Sequence, residues 1–133
     1  MIIRPMRAED LPALQAISPP EVKPVIEFSV FPTLVAEVDG VVAGYTQFTV
    51  TPDRTFHSMA IRIAPAFKGQ GLGQALADAR VALGREHGCT MHIAAVAAEG
   101  EEAMKKILLR QGLHLCRQID GLWIYMGGFD EVT

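Results

Sequence analysis

Cysteine is nearly absent from this chain. Cys89 and Cys116 are the two in 133 residues, far apart and with no Cys-x-x-Cys pair, so neither a disulfide framework nor a thiol metal site is indicated. Free thiols, buried or partly buried, are the expectation. Long basic runs are missing too: 12 Lys and Arg stand against 15 Asp and Glu for a formal net charge of −3, which gives no footprint for nucleic acid. The apolar runs are short and interrupted, and Met1-Ile2-Ile3-Arg4-Pro5 lacks the basic start and long apolar stretch of a secretory leader. The expectation is a cytoplasmic protein that does not enter a membrane. His92 and His114 have no carboxylate or second histidine at ligand spacing, so no metal is expected. Repeats, low-complexity tracts and linkers are lacking as well. With 50% hydrophobic and 20% charged residues, residues 1–133 read as a single domain with one core.

What the chain does have is glycine in a telling place. Residues 61–76, Ile-Arg-Ile-Ala-Pro-Ala-Phe-Lys-Gly-Gln-Gly-Leu-Gly-Gln-Ala-Leu, run from a β-branched stretch through three alternating glycines into a helical pattern. Glycines there let consecutive backbone N–H groups face one spot with no Cβ in the way, and the helix points its positive dipole end at the same spot. An anionic ligand is one reading of the pattern, and a flexible loop or tight turn is the other. A dinucleotide fingerprint would need Gly or Ala where Gln74 stands, and no Gly-Lys-Ser/Thr run makes a P-loop. The spacing present is a basic residue, two residues, Gly, any residue, Gly: Lys68, Gly71, Gly73.

The remaining periodicities predict the order β-α-β-β-β-α-β-α-β-β. Ile2 to Pro5 reads as a strand, and Leu11, Leu14 and Ile17 as one face of a helix that Ser18-Pro19-Pro20 stops. Residues 18 to 32, with four prolines, read as mostly loop. Asp39-Gly40 joins Thr33–Val38 to Val41–Val50 as a hairpin. Thr51 to Arg54 makes a turn before the strand Phe56–Ile63, where His57, Met59, Ile61 and Ile63 share one face. Leu72, Ala75, Leu76, Ala79 and Leu83 form a helical stripe that Gly88 ends. Thr90–Ala97, apolar but for His92, reads as a strand buried on both faces. Glu99, Glu101 and Glu102 open a last helix with Ala103, Met104, Ile107 and Leu108 inward, and Leu113–Gln118 pairs with Leu122–Met126 across Ile119-Asp120-Gly121.

This order, with Lys68-x-x-Gly71-x-Gly73 and the opening Ile3-Arg4-Pro5-Met6-Arg7-Ala8-Glu9-Asp10-Leu11, resembles the GNAT superfamily of N-acetyltransferases over nearly the whole chain. The resemblance implies an α/β (α+β) fold: a mixed, mostly antiparallel sheet with helices on both faces. Its central strands, here Phe56–Ile63 and Thr90–Ala97, would splay apart and admit the pantetheine arm. It implies acetyl-CoA as co-substrate, with backbone groups near Ile61 and Ile63 holding pantetheine and the amides of Lys68, Gly69, Gln70, Gly71, Leu72 and Gly73 holding the pyrophosphate. The activity implied is transfer of an acetyl group to a primary amine of a small molecule or peptide, by direct attack in a ternary complex. The alternative is a non-catalytic acyl-CoA sensor or partner subunit. A homodimer through residues 123–129 is a further implication.

An acetyl thioester is already activated, so the protein has to position the amine, stabilise an oxyanion and manage two protons. A main-chain N–H near Ile61 is the candidate oxyanion donor. Many members carry a Tyr on the last helix where this chain has Leu108, and an Asn where it has Glu101, so the general acid is open. His57 is the candidate base, because an imidazole titrates in the needed range; an ordinary solvated histidine is the other reading. Tyr125 and Tyr45 are candidate acids, or core tyrosines. Cys116 reads as a structural thiol and Trp123 as core or dimer contact.

Overall fold

A computed structural model describes residues 1–20, 28 and 30–129. Seven strands form one sheet in the order β1-β2-β3-β4-β5-β7-β6, with β1 Ile2–Pro5, β2 Thr33–Val38, β3 Val41–Val50, β4 Thr55–Ile63, β5 Met91–Ala97, β6 His114–Ile119 and β7 Leu122–Gly128. Among the elements that the described residues delimit, the α-helices are α1 Leu11–Ile17, α2 Leu72–Glu86 and α3 Glu102–Arg110, and 3₁₀ turns precede α1 at Ala8–Asp10 and follow β4 at Pro65–Phe67. Element order therefore agrees with the periodicity, and the sheet is mixed and mostly antiparallel. The proline-rich stretch 18–32 falls largely outside the described residues. By its contacts the chain forms two compact units, one of Met1–Phe48 with Ala60–Arg80, the other of Thr49–Met59 with Val81–Thr133.

In the first unit, β1 lies antiparallel to β2 and β2 to β3. The β2–β3 turn is Asp39-Gly40, with φ of +50° and +77°, the left-handed pair that a two-residue hairpin requires. Leu14 of α1, Phe28, Val35 and Tyr45 form its core, with Met6, Leu11, Ile17 and Val42 packed around them. Tyr45 is thereby a core residue, and its ring meets Phe28 edge-on at 5.1 Å. Ser18 ends α1 by donating to the Leu14 carbonyl at 2.7 Å, which leaves its oxygen to accept from the Tyr45 phenol, also at 2.7 Å. The tyrosine is spoken for by packing.

Arg4 of β1 grips Asp10 with both guanidinium nitrogens, at 2.7 and 2.9 Å, and the Arg7 amide donates to the same carboxylate at 2.7 Å. The cation, with the amide, holds the Asp10 carboxyl below its ordinary 3.8 although burial opposes this. A carboxylate with a depressed folded-state pKa stabilises the fold above its unfolded value, and that contribution fades as pH falls below it. Wild-type protein is expected to lose thermal stability below about pH 4. Asp10→Asn should melt lower at pH 7 and decline less on acidification, and a variant that melts like wild type across this range would refute the assignment.

In the second unit β4 runs parallel to β5 from Thr55↔Met91 to Ser58↔Ala94, β5 is antiparallel to β7, and β7 to β6. Its core comprises Ala94, Val96, Leu108, Leu113 and Tyr125, with Met104 and Trp123 against them. Three sequence expectations need correction here. Strand β5 buries one face: His92, Ala94 and Val96 point inward while Ala95 and Ala97 are exposed. The short alanine side chain tolerates either environment, which is why apolarity alone misled. His92 belongs to the buried face, where Ser58 Oγ lies 2.8 Å from its Nε2 and Phe56 meets its ring edge-on.

The other corrections concern α3 and β6. On α3, Ala103 is exposed and Lys105 is buried, because its ammonium donates to the Ala98 carbonyl at 2.6 Å and sits 4.2 Å over the Trp123 ring. Trp123 is therefore held within its own unit. Cys89 is buried, which pushes its thiol pKa up, but Cys116 is exposed, since β6 is exposed along its whole length.

Candidate functional site

The glycine turn lies within the first unit and is built from both ends. At its start, the Ala64 amide donates to the Ala43 carbonyl at 2.8 Å and anchors the exit of β4 to β3. Pro65 then begins a 3₁₀ turn with its preset φ, closed by Phe67 N–H to Ala64 O at 2.9 Å. Gly69 and Gly71 follow with φ of +82° and +79°, a region that side chains with a Cβ avoid. The Gly71 carbonyl accepts from the Ala75 amide at 3.1 Å, so Gly71 is the last residue before α2. The amides of the first helical turn, Leu72 and Gly73 among them, have no i−4 carbonyl to bond and face forward.

This turn suits an anion on three counts. No acid occupies the first turn of α2, so nothing on it offsets the positive end of the dipole. A Cβ added to Gly69 or Gly71 would meet no atom within 4 Å, which leaves open space over the backbone. Residues 68–71 are all exposed. One member of the expected set is turned another way: the Lys68 amide points back to the Pro65 carbonyl at 3.4 Å.

The last residues of β4 belong to the same unit and present their backbone in a readable way. Thr46 of β3 donates its hydroxyl to the Ala60 carbonyl at 3.0 Å, and the Arg62 carbonyl lies close to Gly44. At this end of β4, Ala60 and Arg62 therefore turn their carbonyls toward β3. The peptides are trans, so the N–H groups of Ile61 and Ile63 point the opposite way, off the far edge of the strand. They are two donors one pleat apart on that edge.

The two side-chain candidates are in the second unit, and the register separates them. His57 pairs with Ile93, Ile93 with Met126 and Met126 with His114, whereas Ser58 pairs with Ala94, Ala94 with Tyr125 and Tyr125 with Leu115. Paired residues share a face. His57 is thus on one face, half-buried, and Tyr125 is on the other, 2% exposed in the cluster that includes Leu108. The structure does not bring them together.

Sequence reasoning missed one feature entirely. Arg80, wholly buried in α2, donates from Nη1 to Thr46 Oγ1 at 2.8 Å. The buried positions of α2 are Leu72, Leu76, Ala77, Arg80, Val81 and Gly84, a stripe rotated from the one expected, with the arginine at its centre. The signal was available: Leu72, Leu76 and Gly84 at i, i+4 and i+12 put position 80 in line. Among the described residues no group of three His, Cys, Asp or Glu could hold a metal ion, and no helix is long and apolar enough to cross a membrane.

Comparison with known proteins agrees with this geometry. The family model described as the Acetyltransferase (GNAT) family matches residues 4–113. Among solved structures, a ribosomal-protein-alanine N-acetyltransferase from Brucella melitensis is 24% identical with a TM-score of 0.80, covering 97% of this chain and 100% of that one. The yncA protein of Salmonella typhimurium, solved with its cofactor acetyl-CoA, is 20% identical with a TM-score of 0.81, covering 100% and 96%. The ribosomal-protein-S18-alanine N-acetyltransferase of Escherichia coli is 18% identical with a TM-score of 0.82, covering 99% and 96%. These likenesses are of fold. No curated protein matches the sequence.

Proposed function

The chain belongs to the GNAT acetyltransferase family, and from that premise we propose that it transfers the acetyl group of acetyl-CoA to a primary amine by direct attack in a ternary complex. The observation that carries the reading is the pair of left-handed glycines, Gly69 and Gly71, at the acid-free start of α2. A pyrophosphate there would receive several charge-assisted backbone hydrogen bonds, and a pantetheine arm would meet the outward N–H groups of Ile61 and Ile63. Acetyl-CoA supplies the activated thioester when bound. His57 takes a proton from the acceptor ammonium and so frees the amine that attacks the thioester carbon, and the Ile61 amide stabilises the negative charge that develops on the acetyl oxygen. Tyr125, in the cluster that contains Leu108, is proposed as the phenol that protonates the departing thiolate from the face opposite His57.

The acceptor of this proposal is a small-molecule or peptide amine. Two of the similar structures are named as alanine N-acetyltransferases of ribosomal proteins, so a peptide with N-terminal alanine belongs in the acceptor panel beside polyamines and amino acids. A cytoplasmic homodimer completes the proposal, with Leu115, Ile119 and Leu122, 38–46% exposed on β6 and β7, offering apolar area near residues 123–129.

Titration with acetyl-CoA, followed by amine-dependent thiol release, tests the reading. His57→Gln is expected to lower kcat by about 100-fold and Tyr125→Phe by about 10-fold, each with acetyl-CoA affinity retained, as for removal of a proton-transfer group. Full activity in either variant would strip that residue of its role. Binding without release from any amine would favour the acyl-CoA sensor, and absence of binding would overturn the reading of the turn.

A further inference from the structure

We propose that Arg80 and Thr46 act as a polarising relay for the backbone donor of the acetyl-transfer site, making both of them positioning residues. The inference rests on the reading of Ile61 N–H as the oxyanion donor and adds to it the two side chains that set its strength. The Thr46 hydroxyl has one proton, which it gives to the Ala60 carbonyl at 3.0 Å, and its oxygen accepts from Arg80 Nη1 at 2.8 Å. That carbonyl and the Ile61 N–H are the two ends of one peptide group. In a resonant amide, a proton drawn onto the oxygen raises the positive character of the N–H at the other end. A guanidinium at the head of the chain makes the first bond charge-assisted.

The environment strengthens the relay. Thr46 and Arg80 are both 0% exposed, so the field of the cation is not screened by water along the path to the peptide. Burial draws the guanidinium pKa down to about 10, and the group stays cationic at neutral pH. The geometry also fixes direction: with the Ala60 carbonyl held against Thr46, the Ile61 N–H is aimed off the far edge of β4 and cannot rotate without breaking both bonds. An apolar side chain at position 80 would leave the peptide unpolarised. Every residue in the relay belongs to the first unit.

The test reads the acetyl carbonyl itself and needs no acceptor. Infrared spectra of carbonyl-labelled acetyl-CoA bound to wild type are expected to show the thioester stretch displaced to lower frequency relative to free acetyl-CoA, because a strong donor weakens the C=O bond. Thr46→Val and Arg80→Met should each abolish at least half of that displacement, Thr46→Ser should keep it, and binding of CoA, which lacks the acetyl group, should be unchanged in all three. In turnover the same variants should lose about 10-fold in kcat with KM for acetyl-CoA unaltered, a fraction of what removal of a whole oxyanion donor costs.

A displaced stretch in wild type that persists in Thr46→Val and Arg80→Met overturns the relay and leaves the acetyl-transfer reading standing. Bound acetyl-CoA with an undisplaced stretch in wild type does the same. Loss of CoA binding in the variants assigns the two residues to the fold alone and overturns the relay. Failure of wild type to bind acetyl-CoA at all overturns the acetyl-transfer reading and the relay with it.

Discussion

Replacing Gly71 with valine is expected to lower acetyl-CoA affinity by at least about 100-fold, the loss that follows from giving up two charge-assisted backbone bonds, while the protein stays folded. The two halves of this expectation have separate causes. Gly71 has φ of +79°, which costs an L-residue about 1–2 kcal/mol and a β-branched one more. The strain is relieved by turning the peptide, and turning the peptide takes the adjoining N–H out of the cradle. The fold is spared because an added Cβ meets no protein atom within 4 Å at this position. Calorimetric titration beside a thermal melt separates the two effects. Undiminished affinity in Gly71→Val would remove the pyrophosphate site from this turn.

Gly44→Val is expected to do the reverse, harming fold and binding together. A Cβ at Gly44 would lie 2.8 Å from the Arg62 carbonyl oxygen and 2.7 Å from Ile63 Cδ1. The isoleucine end can swing away, but the carbonyl belongs to the backbone of β4. Valine must therefore push β4 off β3 at the residues whose outward N–H groups are assigned to pantetheine, at a cost of about 1–3 kcal/mol. Urea unfolding should show the midpoint move down, and acetyl-CoA affinity should fall at least tenfold from the displaced Ile61 and Ile63. A variant as stable as wild type would mean that the close approach of the two strands is not required.

The contrast between these two glycines shows what the sequence could and could not disclose. The left-handed turn at Gly71 was legible because its cause is local: a residue with no Cβ, two places after another and one before a helix, marks a turn by itself. Asp39-Gly40 and Asp120-Gly121 were legible for the same reason, both being left-handed pairs at a hairpin. Gly44 gave no sign, since its constraint comes from residues eighteen and nineteen places on. The expectation of backbone donors at Ile61 and Ile63 came from the family resemblance, and the separation of His57 from Tyr125 depends on the β4–β5–β7 register, which no single strand carries.

Arg80 marks the other limit. Charge in a helix reads as a solvated face because a buried cation is costly, and the inference fails where a partner such as Thr46, thirty-four residues earlier, accepts from it. His92, the one polar residue of β5, finds in Ser58 on the neighbouring strand the partner that lets it sit inside. Alternating alanines in β5 carried too little hydrophobic contrast to say which face was covered.

Trp123 is the one tryptophan of the chain, and it lies under the Lys105 ammonium in the second unit. Its emission is thus a one-place reporter: it follows loosening of α3 from β7 and is blind to the unit that carries the glycine turn. Circular dichroism, by contrast, averages over both units. Superimposable melting curves from the two signals would establish residues 1–133 as one cooperative domain. If ellipticity changed before tryptophan emission, the half with the proposed pyrophosphate cradle would be the less stable one, and acetyl-CoA should then draw the two curves together.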